Sequence, residues 1–273
     1  MQNPPPTLLE LAKNGDIEAF QQLFAGFQDA LRAYLYRLLA HRSDAEDLTH
    51  DTFIQAFSKI GSFSEKSSLK TWVFQIATNL AMNYLRRRNR WTEDVMQQGK
   101  QWALSHPDVM DEVVQVGRAS PENTYEMRHH IDTCFTCMGK TLPIEQQVAV
   151  ILKDMYDFSV ADIALMLEKT PGVVKHLLVE GRATLTDVFQ RRCALVNKEG
   201  VCNQCSELNG LYNPRQDQRA ARMQLDLVKG STRYDRERLY TLRVELIKGM
   251  DPLRSGGAGI QEVLMRCNVA AMG

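Results

Sequence analysis

The sequence predicts an all-α fold: two helical units joined by a linker, followed by a mainly helical C-terminal extension. Three observations carry this. Apolar residues recur at helical spacing from Thr7 to Arg90 and again from Arg128 to about Arg192. Between these stretches the periodicity fades and carboxylates dominate. Finally, a short segment, Phe158 to Leu167, is followed across Lys169-Thr170-Pro171-Gly172 by a longer one, Val173 to Phe189, which is the layout of a helix-turn-helix.

In the first unit the repeat runs through Leu8, Leu9 and Leu11, then Phe20, Leu23 and Phe24, then Leu31, Tyr34, Leu35 and Leu38. Breaks at Asn14-Gly15-Asp16, Arg42-Ser43-Asp44 and Gly61-Ser62-Phe63-Ser64 divide it into four expected helices, each break supplying capping or turn residues. Asp44, Glu46, Asp47 and Asp51 fall at helix-compatible offsets near a helix start, where the macrodipole favours carboxylates. Taken alone, such a charge run is a solvated face. Further on, Trp72, Phe74, Ile76 and Leu80 have the look of core residues, Phe74 and Leu80 above all. Asn79, Asn83, Arg86, Arg87 and Arg90 are spaced three or four apart and can share one face. Amides suit base edges and guanidinium groups suit phosphates.

From Trp91 to about Met127, Glu93, Asp94, Asp108, Asp111, Glu112, Glu122 and Glu126 outnumber Lys100 and Arg118, the pattern of a linker with short helical pieces. Helices resume at Arg128, and Pro143 suits a helix first turn. After Arg192 a Cys-containing loop leads into a tail in which Leu239, Leu242, Leu246 and Ile247 can form an amphipathic face, packing on the same chain or on a separate partner.

With 273 residues and 44% apolar content, the chain is long enough for two or more compact units, expected to fold as separate pieces. Lys plus Arg and Asp plus Glu balance at 33 each, so contact with nucleic acid must come from local basic patches. No apolar run approaches the roughly 20 residues needed to span a bilayer, and Met1-Gln2-Asn3-Pro4-Pro5-Pro6 lacks the zones of a signal peptide, so a cytoplasmic protein without membrane insertion is expected.

Gly15-Asp16-Ile17-Glu18-Ala19-Phe20, the Asp44 to Phe53 stretch and Ser68 to Leu80 before Arg86-Arg87-Arg88, in this order, resemble region 2 of RNA polymerase sigma factors. Residues 142–189, from Leu142-Pro143-Ile144-Glu145-Gln146-Gln147 through Ser159 to Ala164 and Gly172-Val173-Val174-Lys175-His176, resemble region 4. The absence of a clear helical domain between them marks the extracytoplasmic-function group. The resemblance implies region 2 at 1–91, an acidic linker at 92–127 that threads polymerase toward the RNA path, region 4 at 128–192 and an extension at 193–273. It implies no catalysis, with core RNA polymerase and promoter DNA as partners and an anti-sigma factor or other regulator as a further one. Polymerase contact would fall to Asp44, Glu46, Asp47, Asp51 and Phe53. The −10 element would meet Phe63, Lys70, Trp72, Asn79, Asn83, Arg86, Arg87 and Arg90, where an unstacked base is captured. The −35 element would meet Gly172, Lys175, His176 and Arg182. Members of the group commonly carry Arg where this chain has Leu177, and basic residues in place of Glu180, Ala183 and Thr184, so the phosphate-facing part of −35 affinity is expected to be weak or assisted.

Cys134-Phe-Thr-Cys137 and Cys202-Asn-Gln-Cys205 can each present two thiolates to one tetrahedral zinc. No cofactor is required by the resemblance; structural zinc at these four residues, a thiol redox switch and inert packing stand side by side. His129 and His130 are substitute ligands, though adjacent residues on a helix diverge and such histidines more often face solvent. A helix-turn-helix regulator acting without polymerase is the alternative function; it leaves the acidic stretch and the Trp72 segment without a role. An enzyme is disfavoured, because no Gly-rich phosphate loop, nucleophile elbow or His-Glu-x-x-His pattern occurs.

Overall fold

The computed structural model describes residues 7–119, 127–193, 235–254 and 258–272, and among them all regular structure is helical. The first stretch forms α1 (Leu8–Lys13), α2 (Ile17–Ala25), α3 (Gln28–Leu39), α4 (Arg42–Lys59) and α5 (Leu69–Leu85), with a 3-10 turn at Ile60–Ser62. Gly15 takes φ +94°, a conformation that suits glycine, and Asp16 then caps α2 by accepting the N–H groups of Glu18 and Ala19 at 2.9 and 3.0 Å. Ser68 starts α5 in the same way, accepting the Thr71 N–H at 3.0 Å.

The expected four helices are five. The additional break falls at Gly26-Phe27, where Phe27 leaves helical geometry and lays its ring 5.3 Å from that of Phe24. Apolar periodicity passes straight through this break because α2 and α3 bury their faces in the same core, so spacing alone does not reveal it.

The acidic stretch holds two helices, α6 (Val95–Leu104) and α7 (Pro107–Ala119). Then come α8 (Met127–Gly139), α9 (Ile144–Tyr156), α10 (Val160–Leu167) and α11 (Pro171–Arg192). Ser159 and Asp162 form a capping box at the start of α10, and Thr170 with Pro171 opens α11. Gly181 lets α11 lie close on α9, since a Cβ there would stand 2.8 Å from the Val150 Cγ2. Among the described residues, the C-terminal helices are α12 (Arg236–Ile247) and α13 (Ala258–Met272).

The expectation of separate pieces is corrected by the packing. One apolar core runs from Phe20, Leu31 and Phe74 through Phe135, Leu142 and Ile151 to Leu239 and Ile247. α10 lies directly on α5, α9 touches α3, α12 packs on α11, and α13 packs on α6, α7 and α8. The amphipathic face of the tail thus packs within the chain, the first of its two expected uses. Lys140 ties the seam between the first two units: its ammonium donates to the last carbonyls of α3, Leu38 at 3.4 Å and Leu39 at 3.1 Å, and sits over the Trp91 ring. His129 and His130, read as solvent-facing, are both buried, because α8 is enclosed by α12 and α13. None of the described helices is long and apolar enough to cross a membrane.

Candidate functional site

α5 divides into a covered half and an open half. At its N-terminal end the Thr71 hydroxyl donates to Asp162 at 3.1 Å, and the Gln75 amide donates to the Leu165 carbonyl at 3.0 Å. Lys70 places its ammonium 5.7 Å from the Phe74 ring and 5.2 Å from the Phe158 ring, where the π faces attract it. Phe74 is fully buried as expected, whereas Leu80 is only partly so. At the C-terminal end Asn79, Asn83, Arg86, Arg87 and Arg88 are all exposed. Arg86 donates to the Asn83 side chain at 2.7 Å, and Arg88 lies over the Tyr84 ring at 4.8 Å. Arg88 is a cation of this patch that the three-and-four spacing passes over; its signal in the sequence is the Arg86-Arg87-Arg88 run itself.

Two expected members of this site turn inward. Phe63 is buried, with its ring 5.1 Å from that of Trp72, which is itself half-buried. Arg90 lies beyond the end of α5 at Leu85, so helical spacing no longer sets its direction. Its guanidinium donates to the Gly139 carbonyl at 3.3 Å and to Gln147 at 2.7 Å, and burial pushes its pKa down to about 10. Arg90 is a structural tie between the first unit and α9.

On α4, Glu46, Asp47, His50, Asp51 and Ile54 are exposed. Positions 47, 50, 51 and 54 share one helical face, and Ile54, which sequence reasoning missed, is 51% exposed among these polar neighbours. Asp44 is less accessible: it accepts the Tyr84 hydroxyl and lies 3.4 Å from the His41 Nδ1. Burial, then the Asp44 contact, pushes the Tyr84 phenol up to about 12. Phe53, expected to touch polymerase, instead packs 5.2 Å from Phe20 and 5.1 Å from Phe24.

In the second unit Gly172, Lys175 and His176 are exposed at the start of α11. His176 Nε2 stands 3.0 Å from Glu180 one turn on. Arg182 is half-exposed but engaged: its guanidinium is paired with Asp154 on α9, which also accepts the Tyr240 hydroxyl from α12 at 2.7 Å. Hydrogen bonding to Asp154 raises the Arg182 pKa further. The outward face of α11 therefore carries Val173 and Val179 beside Lys175 and His176.

Cys137 is fully buried between α8 and α13, its sulfur accepting from the Asn268 amide at 3.5 Å, while Cys134 is partly buried. Cys202 and Cys205 lie outside the described residues, and no group of three or more His, Cys, Asp or Glu side chains able to hold a metal occurs among the described ones. The first cysteine pair thus has one member committed to packing.

Comparison with known proteins agrees with this layout. Residues 23–91 match the sigma-70 region 2 family, and residues 133–185 match sigma-70 region 4. The ECF RNA polymerase sigma-E factor of Haemophilus influenzae is 27% identical over 185 residues, covering 67% of this chain and 94% of that protein. The ECF RNA polymerase sigma factor SigM of Mycobacterium tuberculosis is 31% identical over 173 residues, covering 63% and 77%. Among solved structures, the sigma factor RpoE of Bartonella quintana, in a co-crystal with the anti-sigma factor NepR, is similar over 63% of this chain and 98% of its own at 21% identity, with a TM-score of 0.44. The chain belongs to the extracytoplasmic-function family of RNA polymerase sigma factors, non-catalytic initiation factors that direct polymerase to promoters.

Proposed function

We propose that this chain joins core RNA polymerase in the cytoplasm through the exposed face of α4 and reads promoter DNA through the open end of α5 and the start of α11. The observation that carries this reading is the pairing of two unlike faces on one packed unit. Glu46, Asp47, Asp51 and the exposed Ile54 offer carboxylates around an apolar contact, suited to a protein partner. Asn79, Asn83, Arg86, Arg87 and Arg88 offer amides and guanidinium groups, suited to bases and phosphates. Lys175, with the His176 ring beside it, supplies a thinner polar face on α11, so −10 contacts dominate promoter affinity and −35 contacts modulate it.

Reconstituted transcription tests the proposal. Purified protein and sigma-free core polymerase on a pool of promoter fragments should yield specific transcripts that depend on this chain. Absence of transcripts together with absence of core binding would leave a helix-turn-helix regulator that works without polymerase.

A further inference from the structure

We infer that α12, α13 and residues 248–254 between them are an intramolecular clasp that holds the chain closed, leaving the polymerase-facing side of α4 free while the N-terminal half of α5 stays covered by α10. The inference rests on the reading of α5 as the DNA-facing helix given above.

The clasp grips each unit by separate contacts. Toward the first unit, the Met250 carbonyl accepts from Arg37 at 2.9 Å, the Leu253 carbonyl accepts from Arg42 at 3.0 Å, Glu262 pairs with Arg42 at 3.0 Å and Arg254 pairs with Asp29 at 2.9 Å. Toward the second, Tyr240 reaches Asp154, and the Arg243 guanidinium lies 4.1 Å from the Phe189 ring centroid. Toward the acidic segment, α13 approaches α6 so closely that a Cβ on Gly99 would fall 2.1 Å from the Asn268 Oδ1, while Val263 and Cys267 pack on Ala103. Residues 95–119, which a linker would need to extend, are thereby held as helices against the C-terminal segment.

The closed arrangement cannot serve both promoter elements. Sites named for positions some 25 base pairs apart are separated by about 85 Å at about 3.4 Å per base pair. Here α10 of the helix-turn-helix touches α5 itself, through Thr71 to Asp162 and Gln75 to Leu165. Reading both sites requires α10 to leave α5, and the clasp spans both units that must part. The face of α4 bearing Asp47, Asp51 and Ile54 is exposed meanwhile, so the closed chain can meet a protein partner before it meets DNA. Docking of core polymerase is then the event that favours the open form, by binding it better than the closed one.

The test uses the full chain carrying a fluorophore pair at the exposed Ser58 and Thr184, introduced through unnatural amino acids. Two variants loosen the clasp by different physics: Gly99→Leu by steric conflict with Asn268, and Glu262→Arg with Arg254→Glu by charge reversal at one half-buried and one exposed pair. Circular dichroism verifies that helix content is kept. Energy transfer should fall in both variants, and affinity of the free protein for a promoter fragment carrying both elements should rise at least about tenfold, the factor expected when the competent state is populated one part in ten or less. Adding core polymerase to the parent protein should lower transfer likewise. Unchanged transfer in both folded variants would show that α12 and α13 do not hold the units together. Lower transfer with unchanged affinity for that fragment would show that the closed arrangement does not limit promoter binding. A core pull-down with the parent protein is run alongside: its failure would count against the sigma reading, while the transfer measurement still reports on the clasp.

Discussion

Arg37 and Asp132, 95 residues apart in the chain, form a buried ion pair in which one carboxylate oxygen accepts from Nε at 3.1 Å and from Nη2 at 2.9 Å. The same guanidinium donates to the Tyr156 hydroxyl at 2.8 Å and to the Met250 carbonyl at 2.9 Å, so one side chain of α3 meets α8, α9 and the C-terminal segment. Burial alone would lower the Arg37 pKa; Asp132 more than offsets it, and the group stays charged. Removing one partner leaves the other charge buried without compensation. Arg37→Met should therefore cost about 3–5 kcal/mol, while Arg37→Met with Asp132→Leu should cost less than Arg37→Met alone. Urea denaturation of the full chain and a double-mutant cycle measure this. A double variant no more stable than Arg37→Met would show that the pair itself, and not relief of a stranded charge, sets the stability.

Arg86 and Arg87 are exposed just past the C-terminal end of α5, while α10 meets its N-terminal half through Thr71 and Gln75. Replacing both with Ala should reduce promoter opening and leave core binding largely intact. If each contacts a phosphate of a single strand, the log–log salt slope of binding should flatten by about 1.4, two contacts at about 0.7 each. Equal loss of core binding and of opening would argue against a DNA role for this end of α5.

The helices and their apolar faces were readable because burial repeats with the helical period, as Phe20, Leu31, Leu35 and Leu38 show. The exposed Asn79, Asn83, Arg86 and Arg87 were readable for the same reason. What periodicity cannot convey is where a helix ends or what packs across it. Arg90 follows the spacing of its neighbours yet lies past Leu85 and turns to Gln147. Arg182 continues a basic pattern yet finds Asp154, 28 residues upstream. Phe53 and Phe63 carry motif positions but are drawn inward by Phe20, Phe24 and Trp72. The docking of α13 on α6 was illegible, since Gly99 gives no local hint that Asn268 lies against it.

Lys140 links stability to pH. Burial lowers its pKa from 10.5 to about 7, and the facing cation Arg90, then Arg88, push the same way, against the opposing influence of Cys137 and Asp44. Between about pH 7 and 10.5 the unfolded chain binds more protons at this site than the folded one, so stability should rise with pH across that window, with a slope approaching about 1.4 kcal/mol per pH unit. Below about pH 7 both states are protonated and the slope from this group vanishes. Urea titrations from pH 6 to 10 on the parent and on Lys140→Met check it; the variant should lack this component, and parallel curves would refute the assignment.

Asp51 and Ile54 lie on the exposed face of α4, outside the aromatic cluster that holds Phe53. Asp51→Lys with Ile54→Ala should weaken core polymerase binding at least about tenfold, the equivalent of about 1.4 kcal/mol. Each substitution should change folding stability by no more than about 0.5 kcal/mol, as at ordinary surface positions. Pull-down and thermal unfolding separate the two effects.

Lys175 and Arg182 lie on the same helix but should fail differently when replaced. Lys175 is exposed beside the start of α11, so Lys175→Ala should weaken double-stranded −35 binding about equally across sequences and flatten the salt slope by about 0.9. Arg182 holds Asp154, which is 9% exposed and also serves Tyr240 of the clasp. Arg182→Ala removes the charge opposite a mostly buried carboxylate, so its main effect should be on stability, about 1–3 kcal/mol, with the −35 salt slope unchanged. Duplex binding at several salt concentrations, with denaturation of both variants, distinguishes them. A flattened slope in Arg182→Ala at unchanged stability would return that arginine to the DNA face and show that its pairing with Asp154 does not withhold it from phosphate.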